Sequence, residues 1–301
     1  MDQAAGKLNM TRRRLRVGRS GTLDVSADIG SNAGTAFGEK AIMRLQGKIG
    51  IVTAAGSGMG REGALRFARE GAAVTVVDLD PNAANDVVAE IKAAGGRALA
   101  LSDDLRADAF AKDIVTRTVA EFGALDFVWN HVGHPGPAAV EGIDMSLYEL
   151  AMDLNLRSVL VTTDAAIPEL RKRGSGSLLY TASISGLVGS AGAPVYSMAK
   201  FGVVGFVRSL SKRMAKINVR VNAICPGPVD TPMLRVFVNR ADQDGGAKQD
   251  VESQVVQRTA GLPFGRPAKA VEIANAALFL LSDEASYISG VALPVDGAAT
   301  A

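Results

Sequence analysis

The stretch TAAGSGMG, Thr53–Gly60, gives the clearest indication of the fold of this 301-residue chain. It follows the apolar run KIGIVTA (residues 48–54) and precedes a segment of helical period, Arg61–Glu70. Glycines at alternate positions in this stretch remove Cβ atoms where a backbone must turn tightly and lie close to a ligand. Because free N–H groups at the start of a helix face an anion, this turn between a strand and a helix predicts a pyrophosphate site.

Outward from this turn, short apolar runs alternate with longer segments of helical period. Six further strands are predicted, at AAVTVVD (72–78), RALALS (97–102), LDFVWN (125–130), GSLLYTAS (176–183), VRVNAICP (219–226) and ALPVDG (292–297). Further helices are predicted over Asn82–Ala94, Ala109–Phe122, Leu147–Arg171, Pro194–Ala215 and Ala270–Leu281. The alternation predicts one α/β domain, residues 43–301, in which a doubly wound, seven-stranded parallel sheet is flanked by helices.

The first 42 residues differ from this pattern. They hold seven basic and four acidic residues, whereas the rest of the chain holds 26 basic and 27 acidic residues. Their composition, rich in Arg, Gly, Ser and Ala, predicts a disordered basic extension. A nucleic-acid-binding arm, a transit peptide, or an upstream-translated stretch with the natural start at Met43 are the alternatives.

Composition excludes several classes of protein. The single cysteine, Cys225, allows no internal disulfide framework and no zinc site built on cysteines, and two histidines are too few for a histidine-rich metal centre. A net charge of +2 is too small to indicate a nucleic-acid partner. No apolar run approaches the roughly 20 residues of a membrane span, and no secretory signal precedes the domain. We therefore expect a cytoplasmic protein without a metal.

Asp78 ends the second predicted strand, 18 residues after Gly60. A carboxylate at this place can accept hydrogen bonds from both ribose hydroxyls of an adenosine, and it would repel a 2′-phosphate. The glycine turn contains no Lys or Arg that could offset this repulsion. The pattern favours NAD over NADP.

Tyr196 and Lys200, in YSMAK, stand at positions i and i+4 of a predicted helix and so share one face. A neighbouring ammonium favours the tyrosine phenolate, which can exchange a proton with an alcohol or ketone as hydride moves. Ser183 ends the strand before this helix, 13 residues earlier. Since ligands bind beyond the carboxyl ends of parallel strands, Ser183 and Tyr196 can converge on one substrate oxygen.

These motifs, in this order, resemble the short-chain dehydrogenase/reductase family over about residues 45–298. The family opens with T-G-x-x-x-G-x-G, and here Ala54 replaces the first glycine. The resemblance implies that Asn155, in LNL, holds a water that relays protons to Lys200. It also implies that Asp104 and Leu105 contact adenine, that Asn130 and Gly133 belong to the family's N-N-A-G loop, and that Val229 and Thr231 hold the nicotinamide carboxamide.

The implied site is extensive. The catalytic residues would be Ser183, Tyr196, Lys200 and Asn155. The cofactor-binding residues would be Gly56, Ser57, Gly58, Met59, Gly60, Asp78, Asp104, Leu105, Asn130, Gly133, Tyr196, Lys200, Pro226, Gly227, Val229 and Thr231. The substrate residues would be His134, Leu187, Val188 and Met233.

The segment Met233–Leu262 is predicted to be a long loop that acts as a lid over the substrate, with a disordered insertion as the alternative. His131 and His134 stand three apart, and without further ligands they predict no metal site.

The sequence thus predicts an NAD(H)-dependent oxidoreductase that interconverts a secondary alcohol and a ketone. The alternatives are a 3-oxoacyl thioester reductase and a non-catalytic dinucleotide-sensing or scaffold protein. Enoyl reductases of the family usually place six residues between Tyr and Lys, and the three residues here favour alcohol chemistry. The resemblance further implies a homotetramer formed through the long helices that carry Asn155 and Tyr196.

Overall fold

The computed structural model describes residues 43–240 and 250–301, so the predicted N-terminal extension lies outside the described residues. Within them, seven strands alternate with nine α-helices. The strands are β1 Ile49–Thr53, β2 Ala73–Asp78, β3 Arg97–Ser102, β4 Phe127–Asn130, β5 Gly176–Thr181, β6 Val219–Pro226 and β7 Ala292–Val295. The helices are α1 Gly58–Arg69, α2 Pro81–Ala93, α3 Asp108–Phe122, α4 Met145–Met152, α5 Ser158–Arg173, α6 Pro194–Met214, α7 Pro232–Val238, α8 Val251–Ala260 and α9 Ala270–Leu281.

All seven strands pair in parallel, in the order β3-β2-β1-β4-β5-β6-β7. The chain first builds the sheet outward from β1 to β3, then returns and builds the other half from β4. The order therefore reverses between β1 and β4, and at such a switch point the loops on the two sides separate and leave a crevice. The predicted doubly wound parallel sheet is confirmed.

Two hydrophobic cores cover the two faces of the sheet. Val52, Phe127 and Trp129 point into one core with α1, α2 and α9, whereas Ile51 and Val128 point into the other with α3, α5 and α6. Neighbouring residues along one strand face opposite sides because side chains alternate across a sheet. Both sides of these strands are buried, which explains why they read as continuous apolar runs.

The long helix predicted over Leu147–Arg171 is interrupted. The structure begins a helix at Met145, inserts a π-helical turn at Asp153–Arg157, and continues as α5 to Arg173. A single π-turn widens the helix by one residue and is frequent at functional sites. The periodicity of the sequence could not show it, because the extra residue only rotates the apolar stripe.

The long loop predicted over Met233–Leu262 is largely helical where it is described. It contains α7 and α8, which pack together through Leu234, Val238 and Val255. The middle of the predicted lid, residues 241–249, lies outside the described residues. In the part of the chain that is described, no helix combines the length and the apolarity needed to cross a membrane.

Candidate active site

The site lies at the carboxyl edge of the sheet, beside the switch point. The Thr53 hydroxyl at the end of β1 accepts hydrogen bonds from the backbone N–H of His131, at 2.8 Å, and of Val132, at 3.0 Å. These bonds hold the loop that follows β4 against the glycine-rich turn that follows β1. The crevice thus has one wall on each side of the point where the strand order reverses.

The glycine-rich turn leads directly into α1. The Ser57 side chain caps none of the first N–H groups of this helix, and Gly58 has a φ of +52°. Helix N–H groups without a side-chain cap can bind an anion. Thr231 lies against the turn, because a Cβ built on Gly58 would come within 3.1 Å of the Thr231 methyl carbon. The segment after β6 thus closes the turn from one side.

Asp78 is held against the same turn. Its Oδ2 accepts a hydrogen bond from the Gly56 N–H at 2.7 Å, and its Oδ1 accepts one from the Asp80 N–H at 3.1 Å. The carboxylate is therefore fixed beside the turn, and it remains partly accessible. An uncapped helix start with a fixed carboxylate nearby fits the pyrophosphate and the adenosine ribose of a dinucleotide.

The backbone conformation at Ala54 is one that favours glycine, the residue that the family pattern has at this position. Its φ is +51°, in the left-handed region that costs an L-residue with a Cβ roughly 1–2 kcal/mol. The sequence showed only that a methyl group is added beside the turn. The structure shows that the main consequence is a strained backbone conformation.

Tyr196 and Lys200 lie on the first turns of α6, with Lys200 Nζ 5.4 Å from the centroid of the Tyr196 ring. Lys200 is buried and donates a hydrogen bond from Nζ to the Thr181 carbonyl at 2.9 Å. Ser183 and Tyr196 line one cavity, and the Ser183 hydroxyl favours the Tyr196 phenolate. Ser183, Tyr196 and Lys200 are therefore brought together, and two hydroxyl groups meet where one substrate oxygen could bind both.

Burial shifts the pKa values of the two ionisable side chains of this group. Burial raises the pKa of Tyr196 to about 12, and the Ser183 hydroxyl and the charge of Arg240 oppose this effect. Burial lowers the pKa of Lys200 to about 8. Desolvation dominates at Tyr196 in the protein without a cofactor, and the lower pKa that a neighbouring ammonium and an oxidised nicotinamide ring together favour stays a prediction.

Asn155 lies in the π-turn and points toward Lys200. Its Nδ2 donates hydrogen bonds to the His134 carbonyl at 2.7 Å and to the Ala151 carbonyl at 2.8 Å. Its Oδ1 is buried and has no hydrogen-bond partner within the described residues. A Cβ on Gly133 would lie 2.8 Å from Asn155 Oδ1 and 3.2 Å from Lys200 Nζ, so the two groups meet at Gly133. A buried acceptor close to an ammonium can hold a bridging water.

The remaining predicted cofactor residues differ in their surroundings. Asp104 follows β3 and pairs with Arg106, whose side-chain hydrogen bond lowers the pKa of that carboxyl. Leu105 is buried in the core. Asn130 ends β4 with its Nδ2 buried and without a partner in the described part of the chain. Pro226, Gly227, Val229 and Met59 border the same cavity as Ser183 and Tyr196.

Two of the four predicted substrate residues border the site. Met233 lines the cavity that contains Ser183 and Tyr196, and His134 lines the adjoining cavity beside Tyr196 and Lys200. Leu187 and Val188 line neither cavity. Leu187 instead packs against the core under α6, and Val188 is half exposed.

The sequence analysis missed three residues that border the site. The Phe237 ring packs edge-on against Tyr196, with 5.4 Å between centroids, and Arg258 on α8 lines the same cavity. The His131 ring packs on Trp129, its Nδ1 lies 2.9 Å from Thr181 Oγ1, and burial lowers its pKa to about 3. Phe237 and Arg258 lie on α7 and α8, within the segment that the sequence predicts to be a loop, and a loop assigns no side chain to a helical face.

No three His, Cys, Asp or Glu side chains of residues 43–240 and 250–301 form a group that could hold a metal ion.

The chain is similar to known enzymes over most of its length. A family model described as "Enoyl-(Acyl carrier protein) reductase" matches residues 53–300. The 2,5-dichloro-2,5-cyclohexadiene-1,4-diol dehydrogenase LinX of Sphingobium indicum is 37% identical over 256 residues, which are 84% of this chain and 96% of that protein. The cis-4-hydroxycyclohexanecarboxylate dehydrogenase of Sinomonas cyclohexanicum is 34% identical over 255 residues, 84% of this chain and 97% of that protein.

Two solved structures share the fold. The crystal structure of levodione reductase superposes with a TM-score of 0.79 at 30% identity and covers 84% of this chain and 98% of that one. The structure of 7α-hydroxysteroid dehydrogenase with NADH and 7-oxo glycochenodeoxycholic acid gives a TM-score of 0.76 at 33% identity, over 85% of this chain and 95% of that one.

Proposed function

The chain belongs to the short-chain dehydrogenase/reductase family, and on that premise we propose that it uses NAD(H) to interconvert a secondary alcohol on a six-membered ring with its ketone, with Tyr196 as general acid and base. The enzyme is an oxidoreductase that acts on CH–OH groups with a nicotinamide dinucleotide. The observation that supports the acid–base assignment is that Ser183 and Tyr196 line one cavity, with the buried Lys200 Nζ 5.4 Å from the centroid of the Tyr196 ring.

The chain supplies the proton chemistry, and the dinucleotide, when bound, supplies or accepts the hydride. Ser183 donates a hydrogen bond to the substrate oxygen and orients it. Tyr196 takes the hydroxyl proton during oxidation and returns it during reduction. The charge of Lys200 favours the phenolate form. Asn155 holds a water through its Oδ1, which has no hydrogen-bond partner among the described residues, and this water takes a proton from Lys200 during oxidation and gives one to Lys200 during reduction.

The preference for NAD over NADP rests on Asp78. Both of its oxygens accept backbone hydrogen bonds, so the carboxylate cannot easily move away from an incoming 2′-phosphate. A fixed negative charge repels that phosphate and accepts hydrogen bonds from ribose hydroxyls. This same charge disfavours the 3-oxoacyl thioester reductase, which normally prefers NADPH.

The ring-shaped substrate is carried over from the relatives. The names of LinX and of the Sinomonas enzyme both describe a hydroxyl group on a six-membered carbon ring. The apolar side chains of Met59, Met233 and Phe237 beside Tyr196 suit the hydrocarbon face of such a ring.

A homotetramer is the proposed assembly. Leu160 on α5 and Met198 and Phe201 on α6 are 56%, 52% and 45% exposed. The π-turn that leads into α5 lies against α6, because a Cβ on Gly202 would lie 3.4 Å from Leu156. Exposed apolar side chains on α5 and α6 suit burial against a second copy.

The test is the oxidation of cyclohexanol and substituted cyclohexanols with NAD, and the reduction of the ketones with NADH, followed at 340 nm. Tyr196→Phe is expected to lower kcat by at least about 100-fold, the usual contribution of a general acid or base. Tyr287→Phe is the matched control, since Tyr287 is 103% exposed. Unchanged activity of Tyr196→Phe would remove the acid–base assignment. Failure of every ring alcohol and ketone to react would contradict the ring-alcohol proposal, and equal loss in the Tyr287→Phe control would show that the effect is not specific to Tyr196.

The comparison of the parent with Tyr196→Phe also distinguishes an enzyme from a sensor or scaffold that only binds a dinucleotide. Such a protein would bind NADH equally well with and without the Tyr196 hydroxyl and would show no turnover.

A further inference from the structure

Two arginines flank the aromatic side chain that packs on the candidate acid–base tyrosine. The Cζ atom of Arg240 lies 4.3 Å from the centroid of the Phe237 ring, and that of Arg258 lies 5.0 Å from it. Phe237 in turn contacts the Tyr196 ring edge-on. Both guanidinium groups are thus one ring away from Tyr196.

The two arginines are placed differently. Arg258 borders the cavity that also contains Ser183 and Tyr196, whereas Arg240 borders the neighbouring cavity beside His134. Arg240 donates a hydrogen bond to the Gly192 carbonyl at 2.8 Å. Burial lowers the pKa of His134, and the charge of Arg240 adds to this effect. The same charge opposes the rise in the pKa of Tyr196. Arg240 therefore supplies positive potential to the site, and Arg258 is the guanidinium that reaches the cavity itself.

Arg258 has no counter-charge within the described residues. By contrast Arg235, on α7, forms ion pairs with both Asp230 and Glu252. No carboxylate of residues 43–240 or 250–301 pairs with Arg258, and no described residue that lines its cavity is acidic. The Phe237 ring lies beside the Arg258 guanidinium, and the rest of this side chain is exposed. An anionic ligand would supply the missing counter-charge.

We propose that the substrate carries a carboxylate in addition to its reacting CH–OH group, and that Arg258 binds this carboxylate at the mouth of the cavity. The proposal rests on the proposed function, since it places the anion on the same substrate that Ser183 and Tyr196 bind. The planar guanidinium fork matches a carboxylate with two parallel N–H···O bonds. The exposed side of Arg258 gives the charged group access to water, while Phe237 and Met233 cover the apolar part of the molecule.

The first experiment compares 4-hydroxycyclohexanecarboxylate with its neutral carboxamide at saturating NAD. The parent enzyme is expected to favour the carboxylate by about 10- to 100-fold in kcat/KM, the range of a hydrogen bond to a charged group. Arg258→Met keeps the length of the side chain and removes its charge, and it is expected to abolish this preference while changing kcat/KM for the carboxamide less than about threefold. Arg258→Lys is expected to keep part of the preference, because it keeps a point charge without the fork.

Arg213→Met is the matched control. Arg213 is exposed on the last turn of α6, far along that helix from Tyr196, so its loss changes the net charge equally without touching the site. This control is expected to keep the full preference. An unchanged preference in Arg258→Met, or no preference in the parent, overturns the proposal. An equal loss on both alcohols with a raised KM for NAD also overturns it, because Arg258 would then bind the cofactor.

A binding measurement decides the proposal without turnover. Calorimetric titration of the enzyme–NADH complex with cyclohexanecarboxylate and with cyclohexanecarboxamide is expected to show at least about 10-fold tighter binding of the carboxylate, lost in Arg258→Met. Selective carboxylate binding without oxidation of any alcohol would support the anion site and contradict the proposed function. Equal binding of the two ligands by an enzyme that oxidises both alcohols would contradict the anion site and leave the proposed function intact.

Discussion

Lys200 Nζ lies 5.4 Å from the ring centroid of Tyr196, and the two side chains are shielded from water to different degrees. The lysine is buried and hydrogen-bonded to the Thr181 carbonyl, whereas the tyrosine is half-buried beside the cavity. Burial disfavours the charged form of both groups, so it raises the pKa of Tyr196 and lowers the pKa of Lys200. Burial therefore opposes the ionisation of both groups in the protein without a cofactor, and a cation beside them would favour the Tyr196 phenolate.

The protonation of Tyr196 provides a direct test of this relationship. Its pKa of about 12 in the cofactor-free protein predicts that the phenol stays protonated through pH 10, as measured by the absorbance difference at 295 nm between the parent and Tyr196→Phe. With saturating NAD, the pKa in the kcat/KM profile for the alcohol is expected several units lower, because a cation favours the phenolate. A kinetic pKa that remains near 12 would refute this effect of charge.

The same shift predicts how stability depends on pH. The pKa of Tyr196 is higher in the folded protein than the value of about 10 in an unfolded chain. Its contribution to the free energy of unfolding is therefore fully present below pH 10 and is lost as the pH rises from 10 to 12. Tyr196→Phe is expected to show a flatter fall in denaturation midpoint across this window than the parent. Parallel curves for the two proteins would argue against the raised pKa.

Asp78→Asn is expected to weaken the preference for NAD. The asparagine can keep the hydrogen bond from the Gly56 N–H but loses the charge that repels a 2′-phosphate. The ratio of kcat/KM with NAD to that with NADP should fall by at least about 10-fold, the value of one charge-assisted hydrogen bond. Asp80→Asn, two residues further along the chain, is the control. An asparagine at position 80 can still cap α2, because its side-chain oxygen can accept hydrogen bonds from the N–H groups of Asn82 and Ala83 as Asp80 does. An unaltered ratio in Asp78→Asn would show that Asp78 does not select the cofactor.

Ala54→Gly is expected to stabilise the protein by up to about 1 kcal/mol. Glycine removes the left-handed strain at φ +51°, and its greater freedom in the unfolded chain offsets part of the gain. The free energy of unfolding is measured by denaturant titration. Ala89→Gly, at an exposed position inside α2, is the control and should lose about 1 kcal/mol. Destabilisation of both variants by the same amount would mean that the conformation of Ala54 carries no strain.

Phe201→Glu is expected to dissociate the proposed homotetramer. A carboxylate on the exposed apolar face of α6 would have to be buried without a partner between two copies. Size-exclusion chromatography with light scattering gives the mass of the parent and of the variant. Val256→Glu on α8 is the control, since Val256 is 66% exposed outside this face. A parent that is monomeric, or a variant that remains tetrameric, would contradict the assignment of the interface.

Most of the fold could be predicted because its signals are local. Each strand is a continuous apolar run, and the β1 to β7 segments all occur where the runs predict them. The sequence also placed Asp78 at a strand end and Tyr196 and Lys200 one helical turn apart, since both relations depend only on chain spacing. The sequence does not predict the π-turn at Asn155, because one extra residue in a helix produces no periodicity of its own. It does not predict α7 and α8 either, because the polar stretch between them hides their helical pattern.

The doubly wound sheet, the glycine-rich turn with its acid, and the order of the reacting side chains could be predicted from the chain alone, because periodicity and spacing encode them. The surroundings of those side chains depend on tertiary packing. It set Phe237 on Tyr196, brought Arg258 to the cavity, and left Leu187 and Val188 outside it. It also set the burial that raises the pKa of Tyr196, since desolvation depends on how closely distant segments pack and no local pattern records that distance.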